Sequence, residues 1–275
     1  MRRTGARGAL LCLSISIAVP QTMRAQRSLA PISPSGQTVT PVFEGWYRNH
    51  DGTYSLSFGY LNRNAGEEVD VPIGESNFIS PGAQNQGQPT HFNPRRHWGV
   101  FAVTVPADFG EKKLVWTLTL RGQTYAIPGS LKPDWQIDAI EGEASADNTP
   151  PRLRVAGGAE AQGPGGTVSG PLRIAVGTPL SIAVIAVDDA KAEPIAKSAA
   201  PVDLTWFVHQ GPGAVKFAPA TAKLTPTGGT MSTTATFATP GDYLLRVRAN
   251  DASVAGAGHA QCCWTNAFVR VTVTP

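Results

Sequence analysis

Apolar side chains recur at every second position over several short stretches of the chain. Tyr54, Leu56, Phe58 and Tyr60 alternate with Ser55, Ser57 and Gly59, and Leu114, Trp116, Leu118 and Leu120 alternate with Lys113, Val115, Thr117 and Thr119. A period of two sends one set of side chains to a core and the other away from it, which predicts strands. Asn49-His50-Asp51-Gly52 precedes the first stretch, and Asp-Gly is a strong hairpin signal. Arg121-Gly122 turns the second stretch back into Gln123–Ile127. Trp98–Val105, ended by Pro106, adds a further strand, with weaker candidates at Val39–Phe43 and Glu68–Val71. About six or seven short strands in roughly 95 residues predict a β-sandwich.

The same pattern returns nearer the C-terminus. Leu204, Trp206 and Val208 alternate, as do Tyr243, Leu245, Val247 and Ala249, and then Val269, Val271 and Val273. Ile182–Val187 is apolar at every position, which predicts a strand buried on both faces. No helix longer than two turns is expected, since Pro194 interrupts the one candidate, Lys191–Ala200. Between the two regions lies an acidic, small-residue stretch ending Asn148-Thr149-Pro150-Pro151. It reads as a linker over 138–150, between one sandwich over 38–137 and another over 151–275.

Composition narrows the class. Gly and Pro together make up about a fifth of the chain, and charged residues are 16% against the usual ~25%. Gly has no three-residue period, which excludes collagen, and heptads are absent, which excludes a coiled coil. Residues 1–25 have the form of a secretory signal: Arg2, Arg3 and Arg7 lead an apolar run from Ala9 to Val19, and Met23-Arg24-Ala25 offers a cleavage point. The run is too short to span a bilayer, which takes about 20 residues. Leu10 and Leu11 are too bulky before Cys12 for a lipoprotein signal, so cleavage is expected, followed by a flexible polar leader over 26–37. Losing Arg2, Arg3, Arg7 and Arg24, and no acid, takes the formal net charge from +3 to −1. The mature chain then has no basic field for nucleic acid, and no later stretch is apolar enough for a second membrane segment. The chain is expected to be exported, to the periplasm or the extracellular space.

Residues from about 148 to 275 resemble the PKD-like and related immunoglobulin-like modules of secreted bacterial proteins. The likeness rests on Asn148-Thr149-Pro150-Pro151, Val176-Gly177-Thr178-Pro179-Leu180, Leu204-Thr205-Trp206 with Gly211-Pro212-Gly213, Thr234-Ala235-Thr236-Phe237, and Pro240-Gly241-Asp242-Tyr243-Leu244-Leu245-Arg246-Val247 followed by Asp251. It implies an immunoglobulin-like sandwich there, with Trp206 between the sheets and Tyr243 tying a strand start to neighbouring backbone; the first half looks like another immunoglobulin-like sandwich with no family to name, which makes two in tandem. The inter-sheet disulfide of immunoglobulins is missing, since its second half would fall near Leu245. One such fold hosts many functions, so the likeness does not name a ligand.

Candidate chemistry is sparse. Cys262 and Cys263 are adjacent. Their Cα atoms would be about 3.8 Å apart across a trans peptide, against roughly 4.4–6.8 Å for ordinary disulfides. They can be free thiols, a vicinal disulfide, a link to a partner, or, with His259, soft metal ligands. Ser80–His97 is a long polar connection of about 18 residues, and such loops are often functional. It carries amides, His91, Phe92, Arg95, Arg96 and His97, with Trp98 beside it, a set suited to a glycan, an anion or an acidic protein face. Asp147, Asn148, Asp188, Asp189 and Asp251 offer oxygen ligands for Ca²⁺ between the domains. No nucleophile elbow, His-Glu-x-x-His or phosphate loop occurs, and Glu44, Glu67, Glu68, Asp70 and Glu75 have no spacing that fixes a catalytic pair.

The sequence therefore leads to a non-catalytic binding or scaffolding protein with a protein partner in an envelope or extracellular assembly and no required cofactor. A carbohydrate-binding module is the first alternative. A small redox or metal-handling protein using His259, Cys262 and Cys263 is the second.

Overall fold

The computed structural model describes residues 33–145, 147–192, 197–251, 259 and 261–275. The signal sequence, Cys12, most of the leader and the centre of the 191–200 segment lie outside the described residues. The first half contributes β1 (Val39–Arg48), β2 (Tyr54–Asn62), β3 (Val69–Asp70), β4 (Asn77–Ser80), β5 (His91–Phe92), β6 (Arg95–Val105), β7 (Leu114–Leu120) and β8 (Gln123–Gly129). The second contributes β9 (Arg152–Val155), β10 (Val168–Ala175), β11 (Leu180–Val187), β12 (Asp203–Gln210), β13 (Val215–Ala218), β14 (Thr221–Lys223), β15 (Gly228–Phe237), β16 (Gly241–Asn250) and β17 (Trp264–Thr274). The only helical turns among the described residues are two 3-10 turns, at Pro133–Trp135 and Glu143–Ser145. Among the described residues the fold is all-β, with two β-sandwiches in tandem.

In the first sandwich, the sheet β1-β2-β6 faces the sheet β4-β7-β8, and β3 pairs with β5 at one end. The alternating stretches read from the sequence form β2 and β7. Their inward residues Leu56, Phe58, Trp116 and Leu118 pack with Phe92, Phe101 and Ile79 in one core. Phe101 and Trp116 meet edge to face at 5.2 Å, the geometry favoured by the charge distribution of aromatic rings. The indole N–H of Trp116 donates to Asn77 Oδ1 at 3.0 Å, so its one polar atom is satisfied inside the core.

The second sandwich packs β10-β17-β16-β12-β14 against β13-β15-β11-β9. All pairings are antiparallel except β10 with β17. Trp206 lies buried between the sheets, stacked on Phe217 at 5.7 Å. The Tyr243 hydroxyl donates to the Thr239 carbonyl at 2.8 Å and pins the start of β16. Packing of Leu153, Val184, Leu245, Val247, Val269 and their neighbours closes this core without an inter-sheet disulfide.

Two strands depart from their sequence reading. β2 buries Ser55, Ser57 and Gly59 as well as its apolar face. β11 is buried on one face only, with Ile185 48% and Val187 46% exposed. A run of apolar residues cannot specify whether a second layer covers its outer face, and here β11 lies in the outer sheet of the second sandwich.

The described residues of the segment 138–150 are packed at several points, with Asp138, Ala139, Ile140 and Asn148 buried. Asp138 Oδ1 accepts the N–H groups of Glu141 at 3.2 Å and Gly142 at 3.0 Å, and Ile137, Ala139 and Ile140 cluster with Tyr47 of β1. The Tyr47 hydroxyl in turn accepts the Gly165 N–H at 2.9 Å. Residues 32–275 accordingly form one compact body.

Candidate functional site

The two sandwiches meet face to face. On β12, β16 and β17, Phe207, His209, Arg246, Asn266 and Phe268 are among the residues that point away from the second core. They lie against β6 and the 84–90 loop of the first sandwich. Asn266 Nδ2 donates to the carbonyls of Gly99 at 2.7 Å and Pro164 at 2.8 Å. Trp264 Nε1 donates to the same Gly99 carbonyl at 3.2 Å. The Thr90 N–H donates to the His209 carbonyl at 2.8 Å, and Gln210 Nε2 donates to the Gln88 carbonyl at 2.6 Å. Phe268 joins the core of the first sandwich.

Arg246 is the buried cation of this seam. Its guanidinium lies 4.4 Å from the centre of the Phe207 ring and donates, at 3.4 Å each, to the Val100 carbonyl and Asn266 Oδ1. Burial lowers its pKa to about 9. Burial, and then the Arg246 charge, lower His97 to about 4 and His209 to about 3. Both imidazoles are therefore neutral at pH 7. His209 Nε2 lies 2.7 Å from the Gly87 carbonyl, and the His97 ring stacks on Tyr60 at 4.9 Å.

This packing accounts for most of the residues that the sequence offered as a binding loop. The expected structureless connection is corrected: β4 runs to Ser80, β5 occupies His91–Phe92 and β6 begins at Arg95. The amides that look like ligand-binding groups complete the loop's own hydrogen bonds. Gln88 Nε2 donates to the Gln84 carbonyl at 2.6 Å while its Oε1 accepts the Gln86 N–H at 2.8 Å. Phe92 is a core residue and His97 faces the seam. His91 pairs with Asp70 at 2.8 Å and Glu68 at 3.6 Å. Arg95 is exposed, at a left-handed φ of 74°. Trp98 is 37% exposed, with the Arg96 guanidinium 4.9 Å from its ring centre. Of the six, Arg95 and Trp98 present their side chains outward.

Arg96 has a second duty. Its Nη2 reaches both carboxylate oxygens of buried Glu44, at 2.8 and 2.9 Å. Burial raises the Glu44 pKa and the Arg96 charge opposes that rise. Arg96→Ala is expected to cost about 2 kcal/mol at pH 7, below the full cost of breaking a closed buried pair because the guanidinium keeps some contact with water. The loss should shrink at pH 4, where the orphaned carboxyl takes up a proton. Urea unfolding at the two pH values measures both.

A cleft of about 690 Å³ opens along one side of the seam, lined in part by Asn85, Gln86, Phe101, Asp242, Phe268 and Arg270. Asp242 accepts from the Thr272 hydroxyl at 2.8 Å.

Cys262 and Cys263 are bonded to each other and buried. Their sulfurs lie 3.5 and 3.3 Å from the Asn148 carbonyl oxygen. His259 stands apart from them. It is exposed, with Nδ1 3.0 Å from the Gln136 carbonyl and Nε2 3.8 Å from Glu143. The proposed soft-metal trio is thereby corrected: the bonded sulfurs are not thiolates, and among the described residues no three His, Cys, Asp or Glu side chains are grouped to hold a metal. Of the oxygen ligands suggested for Ca²⁺, Asn148, Asp188 and Asp251 come together. Asp189 instead accepts from the Thr149 hydroxyl at 2.8 Å, and the Asp147 side chain is exposed.

No family model matches the chain, and no curated protein matches it. Among solved structures, the D0-D1 domain of intimin aligns at 15% identity with a TM-score of 0.26, covering 86% of this chain and 97% of that one. The D00-D0 domain of intimin aligns at 12% identity with a TM-score of 0.27, covering 86% of this chain and all of that one.

The seam was missed from sequence because Arg246 and Arg248 sit at alternating positions that read as solvent-facing. The available signal was aromatic: Phe207 and Phe268 occupy the same outward register, where water-facing strands seldom place two large rings.

Proposed function

We propose that this chain is an exported, non-catalytic binding or scaffolding protein that works by surface contact within an envelope or extracellular assembly. The observation that carries this reading is the seam. The buried ionisable groups Arg246, His97 and His209 are spent on holding two sandwiches as one body, and contact chemistry remains on the outside. The exposed face of β11 presents Ala183, Ile185 and Val187 in a row, an apolar stripe of the kind that protein partners cover. Among the described residues no helix is long and apolar enough to cross a membrane. The second sandwich fits the PKD-like and immunoglobulin-like modules of secreted bacterial proteins in its Trp206 and Tyr243 positions.

Affinity capture from envelope fractions should recover a stoichiometric protein partner, and Ile185→Asp with Val187→Asp should reduce that recovery more than tenfold. A lone monodisperse monomer that recovers nothing counts against the reading. Carbohydrate binding is the second reading, favoured by exposed Trp98. A glycan array tests it, with Trp98→Ala expected to abolish any signal.

A further inference from the structure

Asn148, Asp188 and Asp251 meet where the 138–150 segment crosses the second sandwich. Asp188 immediately follows β11, and Asp251 immediately follows β16. Asp251 is 4% exposed and neither of its carboxylate oxygens has a hydrogen-bond partner. Asn148 is 1% exposed, and both polar atoms of its side chain are equally unpartnered. Asp188 Oδ1 is also buried without a partner. Asn148 lies close enough to Asp251 to favour its charged form, yet outside hydrogen-bond geometry. Buried polar atoms are nearly always paired, so several unpaired oxygens at one place signal a missing ligand.

The electrostatics agree in sign. Burial, followed by the charge of Asp188, pushes Asp251 up to about 8, and burial raises Asp188. No cation is among the groups that shift either carboxyl, and the Lys191 Nζ donates to the Asp147 carbonyl at 2.8 Å. The donors are oxygens only, which suits a hard cation and not zinc or copper. Two carboxylates and an amide oxygen leave the remaining positions to water and backbone. Such an irregular, partly hydrated set suits Ca²⁺ better than Mg²⁺, which demands near-ideal octahedral geometry.

We propose that Asn148 Oδ1, Asp188 and Asp251 bind one Ca²⁺ ion, and that the Cys262–Cys263 disulfide braces two of these ligands. The sulfurs pack on the Asn148 carbonyl, and the Cys263 carbonyl accepts the Asp251 N–H at 3.3 Å. The bonded pair thus contacts the backbone of both residues. With two carboxylates, the affinity belongs in the range of extracellular modules, Kd about 10⁻⁴–10⁻³ M.

The test is calorimetric titration of the chelator-stripped full chain with CaCl₂, together with thermal melts. A one-site isotherm in that range and a rise of several degrees in Tm are expected. Asp251→Asn should weaken binding more than tenfold, with Asp188→Asn as the second variant should the first fail to fold. Replacing both cysteines with alanine should leave a folded chain with several-fold weaker Ca²⁺ binding. No binding heat up to about 10 mM CaCl₂, or an equal Tm rise with NaCl at matched ionic strength, would overturn the site. An unchanged affinity in the cysteine variant would overturn the brace.

Discussion

Gly99→Ala is expected to lower stability by about 4 kcal/mol and to loosen the contact between the two sandwiches. Gly99 has a φ of 44°, which costs an L-residue roughly 1–2 kcal/mol. An added Cβ would lie 2.5 Å from Trp264 Cζ2 and 2.7 Å from its Nε1. The ring cannot withdraw freely, because it is buried and its N–H is bonded to the Gly99 carbonyl. Overpacking of this kind typically costs about 1–3 kcal/mol. The displaced carbonyl also serves Asn266, so hydrogen bonds worth about 1 kcal/mol each are put at risk. Domains have only about 5–15 kcal/mol to lose, and at this size each kcal/mol moves Tm by about 2–4 °C. Gly52→Ala is the control, since its φ is 85° but nothing lies within 4 Å of the added Cβ. It isolates the backbone cost. Equal melting temperatures for the two variants would show that the seam tolerates the methyl group.

The second large effect is a stability maximum near pH 6.5 in calcium-free buffer. His97 and His209 have folded pKa values lowered to about 4 and about 3, below the unfolded value of 6.5. Between those limits the unfolded chain binds more protons, so stability is complete above about pH 6.5 and is lost as pH falls. Asp251 acts with the opposite sign. Its folded pKa of about 8 exceeds its ordinary 3.8, so its contribution is present at low pH and is lost as pH rises through 8. From pH 4 to 6.5 the two histidine terms rise against the opposing terms of Asp251, Asp188 and Glu44, whose folded pKa values are all raised; from 6.5 to 8 the histidine terms are complete and the carboxylate terms leave a decline. The acid limb should amount to a few kcal/mol, since each pKa unit is worth about 1.4 kcal/mol. Urea midpoints across pH 4–8 measure it. His209→Gln should flatten the acid limb, and Asp251→Asn the alkaline one. A monotonic profile in the wild type would show that the assigned shifts have the wrong balance.

The parts of the fold that depend on local periodicity were legible in the sequence. β7 and the C-terminal end of β17 show the alternation that their burial follows, whereas β2 and the start of β17 are buried on both faces; Trp206 and Tyr243 occupy the roles their sequence neighbours suggest. What could not be read was which outward faces would be covered. Arg246 and Ile185 illustrate the difficulty in opposite directions: an arginine at an alternate position is buried because a second sandwich lies over it, whereas an isoleucine within an apolar run is exposed because nothing does. Burial of an outer face is a long-range property, and a window of ten residues does not contain it. The loop from Ser80 to His97 failed for a different reason. Its glutamines and asparagines carry the same groups whether they bind a ligand or satisfy their own backbone, and composition cannot separate the two. The adjacent cysteines left several pairings open in the sequence; in the fold they are bonded to each other.

β17 serves both halves of the molecule at once. Val269 and Val271 fill the second core while Phe268 completes the first. Until β17 is in place, the first half holds an unfilled slot among its aromatic rings. Maturation of the two halves is thereby synchronised, and a fragment cut between them would inherit an exposed apolar wound rather than an independent module.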